Sequence, residues 1–111
     1  MPSENRLTIF FASISAASAG DNTIVLADAT RKIKVLSYTV VASGTVATTW
    51  KSGSATALSG SLSWVANTGV SPAIGTTYSW LMETAVNEAL VLNLNLATTV
   101  GGHLSYFLEE S

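Results

Sequence analysis

Apolar residues recur at every second position over several short stretches, the spacing that turns one face of a β-strand toward a core. The clearest stretch is Ala89 to Ala97, where Leu90, Leu92, Leu94 and Leu96 alternate with Val91, Asn93 and Asn95. Leucine favours helices, but strict alternation and the two inserted asparagines predict a strand. His103 to Glu110 repeats the pattern, with Leu104, Tyr106 and Leu108 facing inward and Ser105 and Phe107 opposite. Lys32 to Ser43 is the longest expected strand. Ile33, Val35, Thr39 and Val41 share one of its faces with Ser37, and Leu36, Tyr38 and Val40 share the other with Lys32 and Lys34. Apolar groups on both faces suit a central strand with the core on one side and a partner on the other.

Shorter candidates fill the remainder. Leu7 to Ile14, Thr23 to Ala27, Thr45 to Trp50, Ala57 to Val65 and Thr77 to Met82 are rich in β-branched or aromatic residues. Turn chemistry separates them: Ser18 to Asn22, Ser43-Gly44, Ser52-Gly53-Ser54, Thr84 to Glu88 and Gly101-Gly102. A longer connection runs through Asn67-Thr68-Gly69 and Ser71 to Gly75, and Gly60 is expected to mark a bulge or a close approach. Seven to eight strands with short turns predict an all-β fold, an antiparallel two-sheet β-sandwich that is jelly-roll-like. The expected organisation is a flexible N-terminal arm over residues 1–6 and one sandwich domain over residues 7–111. Arg6, the apolar run Leu7 to Ala12 and Ala17-Ser18-Ala19 imitate a secretory signal, but Glu4, Thr8, Ser13 and Ser15 interrupt it, so a strand is the better reading.

Composition bears on how such a domain works. Of 111 residues 48% are apolar and 11% charged, against about 25% charged in ordinary globular domains. A surface this poor in charge predicts that part of it is covered by another copy or another protein. The charge is also uneven: five basic and three acidic residues lie up to Lys51, a net +2, while four glutamates and no basic residue follow it. Arg31, Lys32 and Lys34 form the only basic cluster, too small a footprint for a nucleic-acid binder. No stretch reaches the roughly 18 apolar residues of a membrane-spanning helix. There is no cysteine, which excludes disulfides, thiolate metal sites and a cysteine nucleophile.

Catalytic signals are weak. His103 is the only histidine and is read as a structural or interface residue. Asp21, Asn22 and Asp28 are too few and too dispersed for a calcium loop, so turn capping is expected of the two aspartates. Glu83 and Glu88 bracket a turn and could imitate a glycosidase pair, although two surface glutamates beside a hairpin are the simpler reading. Gly53-Ser54-Ala55-Thr56 lacks the lysine of a phosphate loop. No catalytic, metal or cofactor site is therefore expected. Trp50, Trp64 and Trp80 all fall on expected strands, where aromatics serve a core, a subunit interface or a sugar platform.

Three segments carry a resemblance: Lys32 to Gly44, then Trp50-Lys51-Ser52-Gly53 and Leu58-Ser59-Gly60, and finally Asn87 to Asn95 followed by Val100 to Tyr106. Together they resemble small virion proteins of tailed phages, of the capsid decoration or cement type. The resemblance implies a jelly-roll or sandwich domain that forms a homotrimer on the capsid exterior and binds the major capsid protein. It transfers no site residue. The residues expected to contact the shell are those of the arm and first strand, Ser3, Glu4, Asn5, Arg6, Leu7, Ile9 and Phe11. Leu36, Tyr38, Val40, Trp50 and Phe107 are expected at a subunit interface. The alternatives are a fibre-tip or receptor-binding module, with glycan bound by aromatics around Trp64 to Tyr78, and a tail or neck subunit.

Overall fold

The computed structural model describes residues 8–73 and 79–110. The strands are β1 (Phe10–Ala16), β2 (Gly20–Val25), β3 (Arg31–Ala42), β4 (Val46–Ser52), β5 (Thr56–Ala57), β6 (Leu62–Trp64), β7 (Thr68–Val70), β8 (Met82–Glu83), β9 (Leu90–Leu94) and β10 (Val100–Glu110). All pair antiparallel, in two sheets ordered β1-β10-β3-β7 and β2-β9-β4-β5. The segments β8 and β6 add to β3 and β4, on the same sides as β7 and β5. The ten segments described, against the seven to eight expected, thus fill eight positions, because two edge positions are broken into short pieces. Counted along the chain, one sheet holds the first, eighth, third and sixth positions and the other the second, seventh, fourth and fifth. That is the jelly-roll order, in which the chain crosses between sheets at nearly every turn.

The core lies between the sheets and follows strand parity. Leu90, Leu92 and Leu94 of β9 and Val46 and Trp50 of β4 face Ile14 and Ala16 of β1, Ile33, Val35, Val40 and Ala42 of β3, and Val100 and Leu104 of β10, all nearly inaccessible to solvent. A fully buried aliphatic side chain of this kind contributes about 1.5–3 kcal/mol. Polar groups drawn into the core are satisfied. Thr48 Oγ1 accepts from Trp64 Nε1 at 2.8 Å, and Thr84 Oγ1 accepts from the Ile33 N–H at 3.0 Å. Ser52 Oγ donates to Glu88 at 2.6 Å and accepts from the Ala85 N–H at 2.9 Å.

One irregularity redirects the longest strand. Tyr38 pairs with Leu104 and Ser37 with Ser105, but Tyr106 pairs with Val35, so Leu36 is an extra residue in β3. A bulge of this kind reverses the facing of every residue beyond it. Ile33 and Val35 face inward before Leu36, and Tyr38, Val40 and Ala42 face inward after it. The single-phase reading of this strand is therefore corrected: Val41 lies outside and is exposed, and Val40 lies inside.

Other expectations shift with tertiary pairing. Gly101-Gly102 is strand, not turn: β10 already begins at Val100, and Gly102 packs so close to β3 that a Cβ would meet the Thr39 carbonyl oxygen. Gly20, Asp21 and Asn22 likewise belong to β2. Strand β9 stops at Leu94, which leaves Leu96 half exposed beyond it. The stretch from Ala57 to Val65 divides into β5 and β6, and the first strand begins at Phe10, after Thr8 and Ile9, while Leu7 lies outside the described residues. Of the expected strand over Thr77 to Met82, residues 77 and 78 lie outside the described residues, and Trp80 precedes β8 rather than belonging to a strand.

Candidate assembly surface

The sandwich presents two outer faces and the strand edges, and each face follows from side chains left over by the core. On the sheet of β2, β9 and β4, outward Asp21, Asn93 and Lys51 form a cross-strand network over Val91. Lys51 Nζ lies 3.1 Å from Asp21 Oδ1, and Asn93 Nδ2 donates to the same oxygen at 2.8 Å. Asn93 first, then Lys51, holds the Asp21 carboxyl below its ordinary value. Asp21 is therefore a ladder residue rather than a turn cap. Asp28 is a cap: its carboxylate accepts from the Thr30 N–H at 3.0 Å and pairs with Arg31 at 3.0 Å. Arg31 first, then the Thr30 N–H, holds this carboxyl low too.

The opposite outer face belongs to β1, β10 and β3. Its upper part is a lane of small polar residues: Ser13 stands opposite His103 and His103 opposite Thr39, while Ser37 and Ser105 share a 2.6 Å hydrogen bond. His103 is exposed and sits within β10, not at its end. A shallow open groove of about 270 Å³ lies beside Thr39, Val41, Gly69 and Ser71, below the usual range for small-molecule sites of about 300–1,000 Å³. The lower part is a charged cluster. Lys34, only 8% exposed, pairs with Glu109 and lies 3.4 Å from Glu83 Oε1, while its Nζ sits 3.5 Å from the centre of the Trp80 ring. Glu83 and Glu88 thus serve different partners, Lys34 and Ser52, and do not face one another as a pair. Among the described residues no three of His, Cys, Asp and Glu stand where they could share a metal ion.

The expected subunit-interface residues divide by depth. Trp50 and Val40 are 1% and 4% exposed and belong to the core, and Tyr38 meets Trp50 edge-on with ring centres 5.1 Å apart. Parity places Trp50 there with Val46, Thr48 and Ser52, and the bulge at Leu36 places Tyr38 and Val40 there. Phe107 is on the outer face opposite Lys34, as expected, yet it is 1% exposed. Tyr38 is partly buried against the core, and Val40, Trp50 and Phe107 offer a second subunit almost no area. Leu36, half-buried at the bulge, retains some.

The apolar surface collects elsewhere. Ile9, Phe10 and Phe11 are exposed where β1 begins, Phe11 at 78%, and Phe10 stacks on Tyr106 with ring centres 5.5 Å apart. Of the expected shell-contacting residues, Ile9 and Phe11 are therefore exposed side by side at one end of an edge strand. Ser3, Glu4, Asn5, Arg6 and Leu7 lie outside the described residues. A second apolar set, Val41, Val65, Val70 and Leu96, is exposed at the opposite end of the sandwich. Of the tryptophans, Trp50 and Trp64 pack inward and Trp80 is partly exposed above Lys34. Sequence reasoning marks Phe11 by its place beside a polar arm. It misses the upper set, whose exposure depends on where β9 stops and how β3 turns over.

No family model matches this chain, and neither a curated protein nor a solved structure matches it.

Proposed function

We propose that this chain is a structural virion protein of the capsid-decoration type. It binds the outer capsid surface through its N-terminal arm and the start of β1, and it associates with its own copies, three being the number that the resemblance to phage decoration proteins implies. The observation that carries this reading is the pair Ile9 and Phe11, exposed on the outer face at the head of an edge strand, with Phe10 exposed beside Tyr106 on its inner side, on a surface that is otherwise poor in charge. Apolar side chains grouped in this way are what a protein–protein contact uses. The jelly-roll order is compatible with the role, although a fold alone does not fix a function. Each contact can be weak, since many copies on a repeating lattice add through multivalency.

The test is deletion of residues 2–9, which leaves β1 and its ladder to β10 intact. Binding to purified heads of the phage that carries this protein, measured by co-sedimentation, should be lost while the melting transition is kept. Unchanged binding by the folded deletion variant overturns the assignment of the arm.

A further inference from the structure

A β-sandwich has four sheet edges, and each exposes unpaired backbone groups that invite another strand. Three of the four are protected here. One edge is broken into β7 and β8, of three and two residues, and another into β5 and β6, of two and three. The third, β2, is bulged between Thr23 and Val25 and carries the charged Asp21. Strand β1 differs. It is seven residues long, has neither charge nor proline, and keeps an unbroken register with β10 from Phe10↔Tyr106 to Ala16↔Val100. Among the described residues no strand pairs with its outer side.

We infer that the outer edge of β1 pairs with β1 of a second copy of this chain, antiparallel and two-fold symmetric about Ser13. The sequence Phe-Phe-Ala-Ser-Ile-Ser-Ala is self-complementary in that register. Phe10 stands opposite Ala16 of the copy, Phe11 opposite Ser15, and Ala12 opposite Ile14, so every pair sets a larger side chain against a smaller one. Ser13 meets itself. On the outer face the exposed Phe11 then covers the small Ser13 and Ser15 of the copy, which are also exposed. No like charges meet, because the strand has none. The contact is isologous and closes after two chains. It leaves any three-fold assembly to other surfaces and joins such assemblies in pairs. One strand edge buries far less than the roughly 800 Å² per partner of a standard stable interface, so the pairing is reversible and concentration-dependent. The inference stands on the edge itself and does not depend on a role in the virion; because it occupies Phe10 and Phe11, pairing between copies competes with the capsid contact proposed for the start of β1.

The absence of cysteine makes a direct test available. In the two-fold register Ser13 residues face each other with Cβ atoms about 4.5–5.5 Å apart, near the span that a disulfide bridges. Ser15 residues are then offset by four positions, about 14 Å along the strand. Ser13→Cys should therefore oxidise to a covalent dimer on a non-reducing gel, and Ser15→Cys should remain largely a single chain under the same conditions. Ser13→Cys that cross-links no faster than Ser15→Cys overturns the register. Failure of both variants to cross-link, while each keeps the wild-type melting transition, overturns the pairing.

Discussion

Gly102 is the position where a single methyl group does most damage. Its φ is 154°, and a Cβ there would lie 1.7 Å from the Thr39 carbonyl oxygen and 2.7 Å from the carbonyl carbon. Real Cβ contacts essentially stop at 3.0 Å, so Gly102→Ala must part β10 from β3 locally by about 1.3 Å, the difference between 3.0 and 1.7. That weakens the ladder beside Thr39, at about 1 kcal/mol for each hydrogen bond lost. It also holds alanine in a backbone region that costs about 1–3 kcal/mol. Together these predict a loss of about 3 kcal/mol or more, out of a total stability of about 5–15 kcal/mol for a domain. Gly60→Ala is the control: nothing lies within 4 Å of its would-be Cβ and its φ is not positive. Its effect should stay within about 1 kcal/mol. Urea unfolding followed by tryptophan fluorescence reads both, since Trp50 is buried. A Gly102→Ala loss below about 1 kcal/mol at unchanged m-value would refute the close approach of these two strands.

Lys34→Met removes the cation shared by Glu109, Glu83 and Trp80. Glu109 is 45% exposed and can rehydrate, but Glu83 Oε1 is buried with no hydrogen-bond partner among the described residues beyond its 3.4 Å contact with Lys34. The expected loss is therefore about 2–3 kcal/mol, shared between the stranded oxygen and the cation–π contact; a Lys34→Met/Trp80→Leu double-mutant cycle with no coupling removes the cation–π share. Thr84→Val strands the buried Ile33 N–H, which now donates to Thr84 Oγ1, and should lower stability by about 1–3 kcal/mol in urea unfolding. Asp21 and Asp28 have folded pKa values below the ordinary 3.8, so the stability they add is complete above that value and is lost as pH falls through the lowered ones. Midpoints should be flat down to about pH 5 and fall below about pH 4, with a shallower fall in Asp28→Asn; an equally steep fall in that variant removes Asp28 from the account.

Parity made much of the fold legible. Leu90, Leu92 and Leu94, and then Leu104, Tyr106 and Leu108, face the core as their alternation predicts, because each set lies on a strand without a bulge on its inner side. Leu36 defeated the same reasoning in β3. Nothing in the local sequence marks it as an extra residue, since the bulge exists only in the register with β10, far along the chain. Gly102 misled for a related reason: glycine signals a turn locally, whereas here it signals the nearness of a partner strand's carbonyl. Burial of Phe107 and Lys34 on an outer face depends on long-range packing that periodicity cannot express. The candidate surface was legible where chemistry is local. Ile9 and Phe11 stand out as apolar residues next to a polar segment, and they are exposed. Tyr38, Val40 and Trp50 were expected at an interface because aromatics serve cores and interfaces alike, and only the tertiary fold separates the two.

We propose that this domain works through contacts with other chains, beginning with the open edge of β1. The most direct test is the native mass of the whole chain by light scattering at rising concentration, alongside Ser13→Lys, which places like charges opposite each other at the two-fold. The wild-type mass is expected to exceed the 11.5 kDa of one chain, to grow with concentration and to reach twice the mass of Ser13→Lys. A wild-type mass of one chain at every concentration, or equal masses for the two proteins, would contradict the proposal.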